Sequence, residues 1–377
     1  MTETYTTCTR CIMDTTDTSI TFDENGVCSH CLKYDEIVNS YPFNSQASID
    51  LELEKMLERT KKNGQGKPYD CVIGVSGGVD STYLAYIAKE KGLRPIAVHL
   101  DNGWNSELAV HNIEKVLKNL GIDLLTHVLE WDEFKDLQIA FLKASVSDAE
   151  IPTDHAISGI LYRVARKYGI KTILLGTNIA TESGLPFSWT YGVSDWMYIS
   201  GIHKKFGTRK LSNYPHFSFF DEAYWKLFCG IKVFPILDFV PYNKADALDV
   251  LQNRLGWQYY GGKHYESIYT RFFQGYILPK KFNIDKRKAH YSSLIRSGQI
   301  TREKALEEMA APTYPEDMQR DDREYVIKKL CLTEKEFDEI MAAPVKTYRD
   351  YPNYYNLASK TIGFEQARKI VRQLRSL

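Results

Sequence analysis

The chain has 377 residues, 44% of them hydrophobic and 13% aromatic, and its 48 Lys+Arg balance its 48 Asp+Glu. That length exceeds one ordinary domain and suggests two or three. The neutral balance argues against nucleic acid as the main partner, and with no apolar signal region and no run near the ~20 apolar residues of a membrane span, the sequence reads as a soluble cytoplasmic protein with no membrane partner.

Residues 1–40 hold four of the cysteines among many Thr and Asp, with little apolar periodicity. Cys8-x-x-Cys11 and Cys28-x-x-Cys31 are two hooks whose spacing presents four thiolates tetrahedrally to Zn2+. So short a segment buries no core alone, and metal binding would supply its folding free energy. Four protein ligands close the coordination sphere, which makes the ion structural. Two disulfides are the alternative, disfavoured without a secretion signal. Cys71, Cys229 and Cys331 are isolated and read as small core hydrophobes.

Residues 41–68 carry a helix near Ile49–Lys62 and end in the linker KKNGQGKP, Lys61–Pro68. Over 69–256 short apolar strands alternate with helices. Strands are expected at Cys71–Ser76, Pro95–Asp101, Leu124–Glu130, Lys171–Asn178 and, after an aromatic-rich insertion, Lys232–Val240. Helices are expected at Ser81–Lys91, Glu107–Leu120, Asp132–Ala144 and Ala156–Tyr168. This alternation predicts an α/β fold with a parallel sheet wrapped by helices. Residues 257–377 read as mainly helical, with Thr333 and Glu336 spaced as a capping box.

The first strand runs into SGGVDS, Ser76–Ser81. A Gly-rich turn between a parallel strand and a helix aims unpaired N–H groups and the positive end of the helix dipole at an anion. Gly77 and Gly78 let phosphate oxygens approach the backbone, Ser76 and Ser81 offer hydroxyls, and Asp80 either fixes the turn or holds Mg2+. The string lacks the Gly-Lys-Ser/Thr ending of a Walker A loop and the Gly-x-Gly-x-x-Gly fingerprint. With no lysine on the β/γ-phosphates it suits holding pyrophosphate as a leaving group. An N-cap turn with convenient glycines is the alternative.

SGGVDS resembles the PP-loop of the ATP pyrophosphatases, which cleave ATP to AMP and pyrophosphate on an adenine nucleotide α-hydrolase-like fold. The resemblance implies an ATP site that also includes His99 and Asp101 at the end of the second strand. From GTNIATE it adds Gly176, Asn178 and Glu182 near the phosphates. With CTRCIMDTTDTSITFDENGVCSHC ahead and YYGGKHYESIYTRFFQGYILPKKFNIDKRKAH behind (Tyr259–His290), the chain resembles the N-acetyl sugar amidotransferases, the WbpG-like and PseA-like proteins of surface-polysaccharide and O-antigen synthesis. That family converts an acetamido group of a sugar to an acetamidino group. The resemblance makes site candidates of Lys263, His264, Glu266, Thr270, Arg271, Lys280, Lys281, Asp285 and Arg287. Arg271, Lys281 or Arg287 would neutralise α-phosphate charge or bind an acidic or nucleotide-linked sugar; a solvated helix face is the other reading of this basic run. His155 and His264 are offered as proton carriers, and Asp154 either as a substrate contact or as a helix N-cap.

No Gly-x-Cys-x-Gly nucleophile turn is present, so the resemblance implies ammonia from a separate HisH-like glutaminase, with a HisF-like protein as a further partner. Exposed aromatics of the insertion are a possible docking face. The rival reading is a PP-loop tRNA-modifying enzyme of the thiolase or lysidine type, against which the neutral charge counts. A non-catalytic adaptor on a degenerate nucleotide domain is opposed by the intact loop.

Overall fold

The computed structural model describes residues 5–262 and 265–362. Lys263 and His264 lie outside the described residues. Two helices, α1 (Ser29–Val38) and α2 (Gln46–Asn63), precede the sheet. Strands β1 (Cys71–Gly74), β2 (Pro95–Asp101), β3 (Asp123–Val128), β4 (Thr172–Leu174) and β5 (Lys232–Phe234) pair in parallel in the order β3-β2-β1-β4-β5. The chain therefore winds from β1 to one edge, then crosses back to β4 and β5. A crevice opens at the carboxyl ends of β1 and β4, where the winding reverses.

Side-chain alternation along the strands builds a core on each face. Cys71 and Ile73 of β1, Ala97 of β2 and Leu174 of β4 pack with α2, α3 (Val79–Glu90) and α4 (Glu107–Leu120). Val72, Ile96, Val98 and Ile173 pack with α5 (Trp131–Ala144) and α6 (Ile151–Lys167). Burial on both faces is why these strands read as apolar runs. The expected strand at Lys232–Val240 stops at Phe234, because Pro235 has no N–H for a ladder; the chain turns into a 3-10 turn at Ile236–Asp238.

The insertion between β4 and β5 contains α7 (Ile179–Glu182), α8 (Trp196–Phe206) and α9 (Phe219–Leu227). Its aromatics divide: Trp189, Tyr191, Tyr198, Phe217 and Trp225 are core, whereas Phe220, Tyr224 and Phe228 are exposed. Two buried acids of α5 hold the loop ahead of α9. Glu133 accepts from the N–H groups of Asn213 and Tyr214, and Asp136 from those of Thr208 and Arg209.

His155 is not a proton carrier in this arrangement. It stacks on Phe217 at 4.3 Å, its Nδ1–H donates to the Val193 carbonyl, and its Nε2 accepts from the Phe217 N–H. Burial pulls its pKa down to about 4. Asp154 is not the N-cap of α6; that position is Glu150, and Asp154 is exposed on the first turn.

Among the described residues that follow, the elements are mainly helical: α10 (Lys244–Leu255), α11 (Ile268–Phe272), a π-helical turn (Phe273–Ile277), α12 (Leu278–Phe282), α13 (Lys286–Arg296), α14 (Arg302–Ala310), α15 (Glu316–Lys329), α16 (Glu334–Ala342) and α17 (Tyr354–Ile362). The π turn has a local cause. Pro279 has no N–H for the Gly275 carbonyl one turn back, and the Thr313 hydroxyl donates to that carbonyl instead, at 2.7 Å. The capping box at Thr333 and Glu336 is present in both directions. Lys281 is not brought to the glycine-rich turn. Its ammonium donates to the carbonyls of Ile340, Met341 and Ala343, closing the C-terminal end of α16. Lys280 lies over the Tyr276 ring at 4.3 Å. No helix among the described residues is long and apolar enough to cross a membrane.

The buried His155 sets a pH dependence. Its folded pKa, about 4, lies below the ordinary histidine value of 6.5. The unfolded chain therefore takes up the proton first, and stability is lost as pH falls from 6.5 toward 4. The shift corresponds to a contribution on the order of 3 kcal/mol. Urea unfolding of His155→Gln should show a lower midpoint at pH 7 and a flatter dependence between pH 4 and 6.5 than the native chain.

Candidate active site

The chain leaves β1 through a turn closed by its own serines. The Ser76 N–H donates to Ser81 Oγ at 3.2 Å, the two hydroxyls lie 3.1 Å apart, and the Gly78 N–H donates to Ser76 Oγ at 3.3 Å. Gly77 has φ +87°, and a Cβ there would meet the Ala109 carbonyl at 3.0 Å, so glycine is required twice over. The Trp257 indole N–H fixes the Gly77 carbonyl at 3.0 Å. Gly78 is the N-cap of α3 and no side chain caps that helix, which leaves its first N–H groups available to a ligand.

The loop after β4 presses against the start of α3. A Cβ on Gly176 would sit 3.1 Å from the Asp80 carbonyl. Asn178 caps α7, accepting from the Thr181 N–H at 2.8 Å. The structure thus brings Ser76, Gly77, Gly78, Asp80 and Ser81 together with Gly176 and Asn178 across the crevice. Asp80 and Glu182 each act on Tyr242, and Glu182 also acts on Asp238. The Tyr242 hydroxyl donates to Asp80. Asp238 accepts from the Ile179 N–H at 2.6 Å, and burial, aided by Glu182, pushes its pKa up to about 6. Hard oxygen donors beside a phosphate-binding turn fit Mg2+. Asp80 and Thr181 share a cleft with Lys244, His290 and Leu294.

His99 and Asp101 serve the scaffold. His99 is buried, with Nδ1 2.9 Å from the Val75 carbonyl and Nε2 3.1 Å from the Asn105 amide. Asp101 accepts from the Gly103 N–H at 2.9 Å. The strap after α10 crosses the loop that follows β2, where the Glu266 carbonyl accepts from the Ser106 N–H. It brings Glu266 to the turn: a Cβ on Gly78 would lie 3.3 Å from Glu266 Oε1.

Arg271, Asp285 and Arg287 line an adjoining pocket rather than the turn. Arg271 makes a bidentate pair with Asp322 at 2.7 and 2.6 Å, and Arg287 pairs with Asp285 at 2.7 Å. Thr270 packs in α11, its N–H on the Ser267 hydroxyl. Sequence reasoning missed Lys244, Asp238, Tyr242 and His290. His290 closes the Tyr259–His290 segment but is not singled out within it; the other three sit in no local pattern that marks them, and all four are placed by tertiary packing.

Cys8, Cys11, Cys28 and Cys31 are buried with all four Sγ atoms within 4.8 Å of one another. The Cys8–Cys31 and Cys11–Cys28 separations are 4.0 and 3.6 Å. A tetrahedron with zinc–sulfur bonds of about 2.3 Å has sulfurs about 3.8 Å apart, whereas a disulfide needs about 2.05 Å. The donor set is compatible with zinc. The knuckle docks on α13: Ile12 N–H donates to Ser292 Oγ at 3.2 Å, and Lys288 pairs with Asp14. Elemental analysis should find about one zinc per chain, and Cys28→Ala should lose it. The same variant should lower Tm by roughly 10 °C or more, as expected for loss of several kcal/mol.

Residues 52–214 match the family model for NAD synthase, and residues 266–362 match that for the C-terminal domain of the WbpG-like LPS biosynthesis proteins. The uncharacterized protein MJ1599 of Methanocaldococcus jannaschii is 27% identical over 304 residues, 79% of this chain and 91% of that one. The tRNA(Ile)-lysidine synthase of Chlamydia pneumoniae is 34% identical over 67 residues, 17% of this chain and 21% of its own. Among solved structures, the NH3-dependent NAD synthetase of Campylobacter jejuni aligns with a TM-score of 0.33 at 16% identity, over 72% of this chain and 100% of that one. The glycine-rich turn lies inside the first matched segment and the basic helices lie inside the second.

Proposed function

We propose that this chain is the synthetase component of an ATP-dependent amidotransferase that converts an acetamido group of a surface-polysaccharide sugar to an acetamidino group. One observation carries the reading. Residues within the segment matched to a lipopolysaccharide-biosynthesis domain, Glu266 and His290, reach the crevice opened by the ATP-using PP-loop domain.

An amide is a poor electrophile until its oxygen becomes a leaving group. The acetamido oxygen would attack the α-phosphorus of ATP, breaking the bond to pyrophosphate and forming an O-adenylyl imidate. Ammonia would then add to the imidate carbon and release a proton. AMP departs carrying the former amide oxygen, and the amidine remains. Such a sequence needs positioning and charge stabilisation rather than a protein nucleophile. The free N–H groups of α3 and the hydroxyls of Ser76 and Ser81 would receive pyrophosphate. Asp80 would hold Mg2+, which supplies positive charge to the phosphates when bound. Lys244 faces the same cleft. Ammonia would come from a separate HisH-like glutaminase, with a HisF-like protein between them.

The test incubates the protein with ATP, Mg2+, an ammonium salt and a panel of free and nucleotide-linked diacetamido sugars. The expected products are AMP, pyrophosphate and a sugar lighter by about one mass unit. Label placed as 18O in the acetamido group should appear in AMP; ADP formation, or AMP without label, overturns the reading. Asp80→Asn, which keeps a partner for Tyr242, should lower kcat on the order of 10²-fold without changing Tm appreciably.

A further inference from the structure

Next to the nucleotide cleft is an open pocket. Its walls include Gln274 and Gly275 of the π-helical turn, Thr313, Tyr314, Tyr265 and His290. His290 also lines the cleft that contains Asp80. Resting on the functional reading above, we propose that this pocket holds the sugar ring itself, and that the acetamido group passes beside His290 to reach the nucleotide.

The pocket is a built feature. A π turn is rare and persists where its surroundings hold it; here Pro279 sets it up and Thr313 satisfies the carbonyl that Pro279 strands. Gly275 is obligatory, because a Cβ would fall 2.4 Å from Cδ1 and Cε1 of Tyr314. Tyr314 therefore packs one edge of its ring against the turn and is 3% exposed. Its hydroxyl has no hydrogen-bond partner among the described residues. A buried hydroxyl left without a partner costs on the order of 1–3 kcal/mol, which a ligand hydroxyl or amide recovers.

The charges of the walls choose between ligand classes. Arg271 is matched by Asp322, Arg287 by Asp285 and Lys286 by Glu150. Each of these cations already has its carboxylate, so the pocket offers balanced donors and acceptors without a positive surplus. That balance suits a polyhydroxylated ring over a diphosphate, which needs uncommitted cations. Tyr265, with Arg271 over its ring at 5.0 Å, adds an aromatic surface for the apolar face of a sugar.

The experiment uses whichever panel sugar the native chain converts, in free and nucleotide-linked forms, with Tyr314→Phe and Gly275→Ala. Tyr314→Phe keeps the ring and removes only the hydroxyl. The expected result is a roughly 10-fold rise in sugar KM for both forms. The ATP dissociation constant stays within about twofold of native in both variants, since neither residue lines the nucleotide cleft. An unchanged sugar KM in Tyr314→Phe, with ATP still cleaved to AMP, overturns the pocket and leaves the reaction standing. A KM effect confined to the nucleotide-linked form shows that the pocket takes the diphosphate, and overturns the ring assignment. Failure of the native chain to convert any panel sugar overturns the reaction and the pocket together.

Discussion

The reversal of winding between β1 and β4 is the constraint on which the rest of this molecule depends. Parallel strands need crossovers, and crossovers that leave β1 in opposite directions cannot both cover its carboxyl end. The space left over is where the Ser76–Ser81 turn and the Gly176–Asn178 loop meet. Neither could shape a site alone. Gly176 packs so close to the first turn of α3 that a Cβ there would lie 3.1 Å from the Asp80 carbonyl, and this contact sets the depth of the crevice from the far side. The missing side-chain cap on α3 belongs to the same design, because an internal partner would compete with a ligand for the N–H groups.

Helix α13 then ties three regions to that crevice. Ser292 receives the Ile12 N–H of the cysteine knuckle. Ser293 and Ser297 donate to the carbonyls of Ser183 and Ala180, in and just after α7. His290 and Leu294 face the cleft. One rigid helix therefore connects a compact cysteine cluster to the loop that follows β4. The knuckle's four buried cysteines line neither cavity, yet its docking fixes the element that borders both. Arg302 adds to the same seam, donating to the carbonyls of Cys11 and Cys8.

The π turn illustrates how local strain is held by distant contacts. Pro279 removes a helical hydrogen bond, and without Thr313 the Gly275 carbonyl would lose the donor that replaces it. Thr313 lies in the segment between α14 and α15, next to Tyr314. The same short segment thus supplies both the repair and the ring that rests on the repaired turn.

Sequence alone determined the parts whose chemistry is written within a few residues. The SGGVDS turn, the paired cysteine hooks, the strand–helix alternation and the Thr333–Glu336 box are all short-range, because turn geometry and capping are decided by adjacent backbone. Tertiary structure decided the use of long, mobile side chains and of isolated titratable groups. Lys281, which the basic run offered to a phosphate, closes a helix end instead; Arg271 and Arg287 are occupied by carboxylates; and His155 is packed among aromatics from the insertion. Conversely Lys244, Asp238 and Tyr242 reach the crevice from segments with no distinguishing pattern. A side chain several bonds long can satisfy its charge in many places, and which place wins depends on partners brought near by the fold, information that no local window of the sequence contains.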